Sequence, residues 1–346
     1  MRLKGAVTVS SKSVERATAG RSSARPLLAR LSGTLAPLSF LTFLCITLAL
    51  LSPNFATRDN IKQIAVQAAV VAILACGQTA VIISGNIDLS VGSVMAFAGV
   101  AAADAMSHHG AGVFAGVLIA CATGSGIGVF TGLITAYGKI PSFIVTLGMM
   151  GIVHGAAGIV SRSVNIGGLP DAFNVFGFGE LFGSVNSDGI PYAVIITFLA
   201  ALLVHISLSR TGWGRAIYAI GGNREAARLS GVKLTRSLTS VFALSGLLAG
   251  VAAVVNVSRA SIASKDSGIG YELDAVAAVV VGGTSLFGGQ GSIPGTIIGA
   301  VLIYTIRNGC QLKGYGPEYQ QLIIGSVIIL AVLYDRYGPG RKSSGA

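Results

Sequence analysis

Charge is scarce in this chain: of 346 residues only 11% are Asp, Glu, Lys or Arg. A soluble domain carries about a quarter, so an ordinary water-facing surface is excluded. Cysteine is scarce too, and Cys45, Cys76, Cys121 and Cys310 form no CxxC pair. Three of them lie in apolar runs and one near a helix end, where a structural thiol is the default. His108, His109, His154 and His205 keep no metal-ligand spacing with one another or with cysteine, so no metal and no cofactor is expected. No Ser/His/Asp or paired-carboxylate arrangement sits on a credible frame, which argues against an enzyme. Gly283-Thr-Ser-Leu-Phe-Gly288 has the glycine spacing of a phosphate-binding loop, but Gly289-Gln290 stands where Lys-Ser/Thr is required. ATP is not bound in that way.

What is abundant is apolar. Hydrophobic residues make up 52% of the chain, and mean hydropathy is +0.75. At about 20 residues per crossing, plus loops, there is room for roughly eight to eleven spans. The 48 glycines would disrupt soluble helices, whereas in a membrane they let helices approach closely. The expected class is an all-α polytopic membrane protein. The net charge of +11 is concentrated in two segments. Residues 1–33 carry seven Lys/Arg against Glu15, and 210–236 carry six against Glu225, so the remainder is neutral. Basic residues bordering spans mark the cytoplasmic side. The high pI is therefore topological, with anionic lipid headgroups as its neighbours and no nucleic acid.

The chain reads as ten spans, at about 35–51, 61–84, 89–106, 113–136, 142–161, 190–208, 238–257, 273–287, 293–308 and 318–334. The first lacks a clear cleavage site and is read as an uncleaved span. Residues 1–33 are expected to be a disordered basic cytoplasmic tail, 34–335 the transmembrane domain, and 336–346 a second cytoplasmic tail. The loops 163–189, acidic and without Lys or Arg, and 258–272 fall outside, and both termini inside.

Where span two ends the apolar run breaks at Gly85-Asn86 and is followed by Asp88. A charge at membrane depth costs about 2.5–3.5 kcal/mol on insertion scales, so it implies a job or a partner. Asp88 reads either as the cap of the next helix or as part of a transport path at a broken helix. Span four carries a small residue every fourth position from Gly112 to Ala136. That stripe belongs to a close helix contact in the bundle core, with a subunit contact as the alternative. There is also a weak internal echo between 81–92 and 279–288.

The inner segment 210–236 contains a second signal. Asn223 is a good N-cap, Arg224–Leu229 are helix formers, and Gly231 stops the helix. Two turns are marginal alone and make sense docked on a partner; read plainly, the segment is a basic inner loop. The order Glu225-Ala226-Ala227…Gly231 resembles the loop by which permeases of ATP-binding-cassette importers engage their ATPase. Four pieces extend the resemblance over about 40–335: Leu51-Ser-Pro-Asn-Phe55, Gly85-Asn-Ile-Asp-Leu-Ser-Val-Gly-Ser93, Tyr218-Ala-Ile-Gly-Gly-Asn223 with Ala226-Ala-Arg-Leu-Ser-Gly231, and the run from Gly270-Tyr-Glu-Leu-Asp274 to Ser285. Together they make the chain similar to permeases of the ribose-type sugar importers, whose fold resembles the cobalamin (type II) importers.

The resemblance implies two paired permeases in the bacterial inner membrane, a separate and double-cassette ATPase, and a periplasmic sugar-binding protein. It implies ATPase coupling through Asn223, Arg224, Glu225, Ala226, Ala227 and Gly231. A weak polar path would draw on Gln78, Thr79, Asn86, Asp88 and Ser90, with Asn256, Glu272 and Asp274. Capping and interhelical hydrogen bonds account for each of these equally well. A branched-chain amino-acid permease is the nearer rival. An ion-coupled secondary transporter is the further one, and would need an intramembrane relay.

Overall fold

Apolar runs without water to satisfy their backbone must close their hydrogen bonds internally, and this chain does so as helix. The structure, a computed structural model, describes residues 25–183 and 189–337, and the side chains of 35–333 within them. Most of the two expected tails, and residues 184–188 of the 163–189 loop, lie outside the described residues. The helices are α1 (Arg25–Leu51), α2 (Arg58–Ile83), α3 (Val91–His108), α4 (Val113–Gly138), α5 (Ser142–Val160), the one-turn α6 (Val175–Phe178) and α7 (Tyr192–Arg210). They continue with α8 (Gly212–Gly222), α9 (Arg224–Leu229), α10 (Leu234–Ala260), α11 (Tyr271–Val281), α12 (Ile293–Leu312) and α13 (Pro317–Tyr337). The two-residue strands β1 (Glu180–Leu181) and β2 (Ile190–Pro191) pair in the loop before α7.

Among the described residues α2, α4, α5, α7 and α10 are long and apolar enough to cross a membrane, and Leu35–Leu51 and Pro317–Leu333 are shorter apolar helices. This is a multi-pass membrane protein. Its core seam is the contact of α4 with α10. The small-residue stripe of α4 lies there, and a Cβ at Gly124, Gly128 or Gly132 would collide with the backbone at Gly246, Phe242 or Thr239. Ala120 meets Gly250 in the same way, so the helices run antiparallel with their backbones nearly touching. Lipid tails offer no hydrophobic drive between helices, so this close packing is what joins them. The stripe is bundle core.

Two helices begin inside the bundle rather than at its ends. After α2 the chain turns at Gly85, whose φ of +76° suits only glycine readily. It then runs back without helix until α3 starts at Val91. Asp88 in that stretch bonds Ser245, near the middle of α10. The second case follows α10. Ile166 and Ala263 exchange backbone hydrogen bonds at 2.9 Å, and the chain then dips until Gly268 packs on the Gly92 backbone. There α11 begins, beside the start of α3. The segment expected as an outer loop over 258–272 therefore reaches into the bundle. Expected span eight is correspondingly short: α11 ends at Val281, and residues 282–292 form a glycine-rich turn before α12. At the other edge of the expectation, α1 reaches back to Arg25, inside the segment expected to be disordered.

Candidate functional site

The residues singled out from the sequence gather in two places. The first is the interior where α3 and α11 start. Asp88 is 4% exposed. Its Oδ1 accepts from the Ser90 backbone N–H at 3.0 Å and the Ser90 hydroxyl at 2.6 Å, and its Oδ2 accepts from the Ser245 hydroxyl at 3.0 Å. The cap position of α3 is Ser90, and Asp88 stands two residues before it, holding the Ser90 N–H and hydroxyl; its bond to Ser245 is a cross-helix contact through a neutral donor. Asn86 donates its amide to the Ser84 carbonyl at 3.1 Å and hydroxyl at 2.9 Å, closing the turn. The Thr79 hydroxyl lies 2.7 Å from that of Thr296, joining α2 to α12.

Gln78 is different. It is fully buried, and neither amide atom has a hydrogen-bond partner. An amide left so costs about 1–3 kcal/mol, which makes Gln78 the least satisfied of the candidate residues.

Glu272 and Asp274 occupy the first turn of α11 and are both buried. Glu272 accepts from the Gly270 N–H at 3.2 Å. Asp274 is clasped by one Arg307 nitrogen, Nη2, at 2.6 and 2.7 Å from its two oxygens. The Arg307 guanidinium also lies 5.6 Å from the centre of the Tyr304 ring. The Tyr271 hydroxyl approaches Asn256 Oδ1 at 3.5 Å. Next along α12, Asn308 and Asn60 exchange amide hydrogen bonds at 2.6 and 3.0 Å. Among the described residues no hydrogen bond joins the Asp88 group to the Asp274 group. Sequence reasoning missed Arg307, Ser245 and the Asn60–Asn308 pair. Arg307 had a signal: it is a charge inside an apolar span, the same criterion that selected Asp88. Ser245 had none, because its partner is distant in the chain.

The second place is the end of the bundle that carries α8 and α9. Asn223 caps α9, its Oδ1 accepting from the Ala226 N–H at 2.9 Å. The other end closes through the Val232 N–H to the Ala227 carbonyl and the Gly231 N–H to the Arg228 carbonyl, at 3.1 and 3.0 Å, with Gly231 at φ +86°. Those two bonds and the left-handed glycine are the Schellman ending. Ala227 is buried against the bundle, whereas Arg224, Glu225, Arg228 and Leu229 are exposed. Arg228 Nε donates to Glu225 at 3.1 Å, and that contact holds the Glu225 carboxyl below its ordinary range. The preceding helix, α8, was not expected. Its glycines are poor helix formers, but Ile217 and Ile220 are buried and the Trp213 indole N–H donates to Ser240 at 2.7 Å.

Long apolar helices around a polar interior, two shorter helices that start within it, and a capped helix exposed at one end make a multi-pass membrane protein. Residues 60–332 match the family described as the permease component of the branched-chain amino acid transport system, and the chain belongs to that family. It is 43% identical to the ribose import permease protein RbsC of Escherichia coli (strain K12) over 287 residues, which is 82% of this chain and 88% of the relative. Identity to RbsC of Bacillus subtilis (strain 168) is 39% over 302 residues, 87% and 92% of the two chains. Identity to the fructose import permease protein FrcC of Rhizobium meliloti is 35% over 291 residues, 83% and 81% of the two. No solved structure matches.

Proposed function

We propose that this chain is the transmembrane permease subunit of an ATP-driven importer that moves a ribose-like monosaccharide across the inner membrane of a bacterium. The observation that carries the reading is similarity over more than four-fifths of the chain to proteins named as ribose and fructose import permeases. Relatives named for D-allose and L-arabinose extend the sugar series at 36% and 34% identity. Those names favour a sugar over a branched-chain amino acid, although the family's description carries the latter. The chain is a transport subunit rather than an enzyme. ATP is hydrolysed by a partner.

In this reading ten helices span the membrane in the type II arrangement, with both termini cytoplasmic. A second permease copy completes the pathway, a periplasmic binding protein delivers the sugar, and a double-cassette ATPase docks on α9. The docking assignment is supported by the rigid capping of a six-residue helix that leaves Glu225, Arg228 and Leu229 exposed. Gln78, Thr79, Asn86, Asp88, Ser90, Asn256, Glu272 and Asp274 supply the polar groups along the path. None of them needs to bind tightly, because a transported sugar must leave as readily as it enters.

The test is coupling. Glu225→Arg reverses an exposed charge, and Gly231→Val forces a β-branched residue into a left-handed conformation. Both variants are expected to insert and pair normally, to lose co-purification of the ATPase, and to abolish sugar uptake. Full ATPase recovery with normal uptake in both would reduce α9 to a basic loop and return weight to a secondary transporter.

A further inference from the structure

The coupling helix α9 is one residue away from a backbone junction that the sequence did not reveal. Only Asn223 separates it from α8, and the last turn of α8 meets two other segments of chain. A Cβ at Gly221 would overlap the Ile83 carbonyl oxygen and stand 2.5 Å from the Gly289 nitrogen. The Gly289 N–H donates to that same Ile83 carbonyl at 2.8 Å. A Cβ at Gly288 would sit 2.9 Å from the Gly221 oxygen and 3.0 Å from the Gly85 backbone. The Tyr218 hydroxyl adds a side-chain tie, donating to the Gly291 carbonyl at 2.8 Å.

The identity of the three segments matters. Ile83 is the last residue of α2, and the break that leads through Gly85 to Asp88 and α3 follows it directly. Residues 288–291 belong to the turn between α11 and α12. The two segments that carry the internal echo, 81–92 and 279–288, therefore touch, and α8 lies against both. No flexible side chain stands between the three backbones to absorb a displacement.

We propose that Gly221, Gly289 and Tyr218 are positioning residues that transmit movement of α9 to both helices starting inside the bundle. The proposal rests on the reading of α9 as the element that docks the ATPase. A push on α9 reaches Ile83 through Gly221 and shifts the Asp88 stretch. The same push reaches Gly289 and shifts the turn between α11 and α12. Spatial adjacency alone does not establish such a relay; a change in coupling with assembly intact does.

The experiment uses the complete importer, permease with ATPase and sugar-binding protein, reconstituted in liposomes and supplied with radiolabelled ribose. Gly221→Ala introduces the overlapping Cβ, Tyr218→Phe removes the hydroxyl that donates to Gly291 and keeps the ring, and Gly222→Ala is the control because its Cβ position is open. Gly221→Ala is expected to retain the ATPase on purification and to hydrolyse ATP at about half the unmodified rate or better. Its maximal uptake is expected to fall about tenfold or more, with the KM for sugar-loaded binding protein within about twofold, the pattern of a lost step rather than lost binding. Tyr218→Phe should lower the ratio of sugar moved to ATP hydrolysed by about two- to fivefold, and Gly222→Ala should leave it unchanged.

Normal uptake per ATP in Gly221→Ala overturns the proposal. So does parallel loss of ATPase attachment and uptake, which would mean that the junction merely shapes α9. Should Gly221→Ala fail to assemble, Tyr218→Phe decides, and an unchanged ratio there overturns the relay. Failure of the docking reading is read separately, by ATPase attachment in Glu225→Arg and Gly231→Val.

Discussion

Asp88 and Asp274 occupy comparable places and are held in opposite ways. Each is a buried carboxylate near the first turn of a helix that starts inside the bundle. Asp88 accepts from two hydroxyls and a backbone N–H, all neutral and two of them from its own neighbour Ser90. Asp274 is bound by a guanidinium from another helix. The first is thus a mostly local device that remains in place if its one distant partner is lost. The second is a cross-helix ion pair in which Asp274 depends on its partner, because without Arg307 it would be a bare charge in a low-dielectric interior, whereas the Arg307 side chain is part-exposed. Both carboxylates are proposed for the path, and the difference ranks them: Asp88, held by neutral donors, is the freer to meet a solute, whereas Asp274 is committed to Arg307.

The comparison breaks most visibly at Arg307. Arg307→Ala leaves Asp274 buried without its cation and is expected to destabilise the protein by about 3–5 kcal/mol, read as thermal unfolding in detergent. The paired change Arg307→Met with Asp274→Leu should recover most of that loss, since replacing both partners removes the stranded charge. A loss under about 1 kcal/mol in Arg307→Ala would mean that water, not the ion pair, satisfies Asp274.

At the other carboxylate the effects are smaller and separate stability from transport. Asp88→Ala strands the Ser90 N–H and the Ser245 hydroxyl and should cost about 1–3 kcal/mol. Asp88→Asn keeps a capping acceptor, so folding and membrane level should stay close to normal while uptake falls. Transport at unmodified rates in Asp88→Asn would make the residue a structural cap. Ser245→Ala removes a single neutral bond and should cost only about 0.5–1.5 kcal/mol. A loss as large as that of Arg307→Ala would erase the contrast between the two sites.

Much of this arrangement was legible in the sequence, and the illegible part has a common cause. The cap and stop of α9, the glycine stripe of α4 and the break at Gly85 are local signals, carried by residue types at fixed spacing. The span pattern is also local, since it needs only apolar runs and turn residues. The dip that brings Gly268 against Gly92 left no such mark, because hydropathy reports length and polarity but not depth. The Asn60–Asn308 and Asp88–Ser245 contacts join residues far apart in the chain, so neither partner alone signals the other. In α8 the glycines argued against a helix, and tertiary packing of Ile217 and Ile220 outweighed their poor propensity. Arg307 was visible but lay near the end of an expected span, where a basic residue ordinarily reaches out to the interface. It turns inward instead, because Asp274 is there.

The central claim is ATP-driven import of a sugar, and the most direct measurement is solute accumulation in liposomes holding the permease with its ATPase and sugar-binding protein. Radiolabelled ribose should accumulate only with ATP inside the compartment that holds the ATPase, and an imposed proton or sodium gradient should drive none. Labelled leucine should not accumulate. Accumulation of leucine in place of ribose, or of ribose by an ion gradient without ATP, would contradict the account.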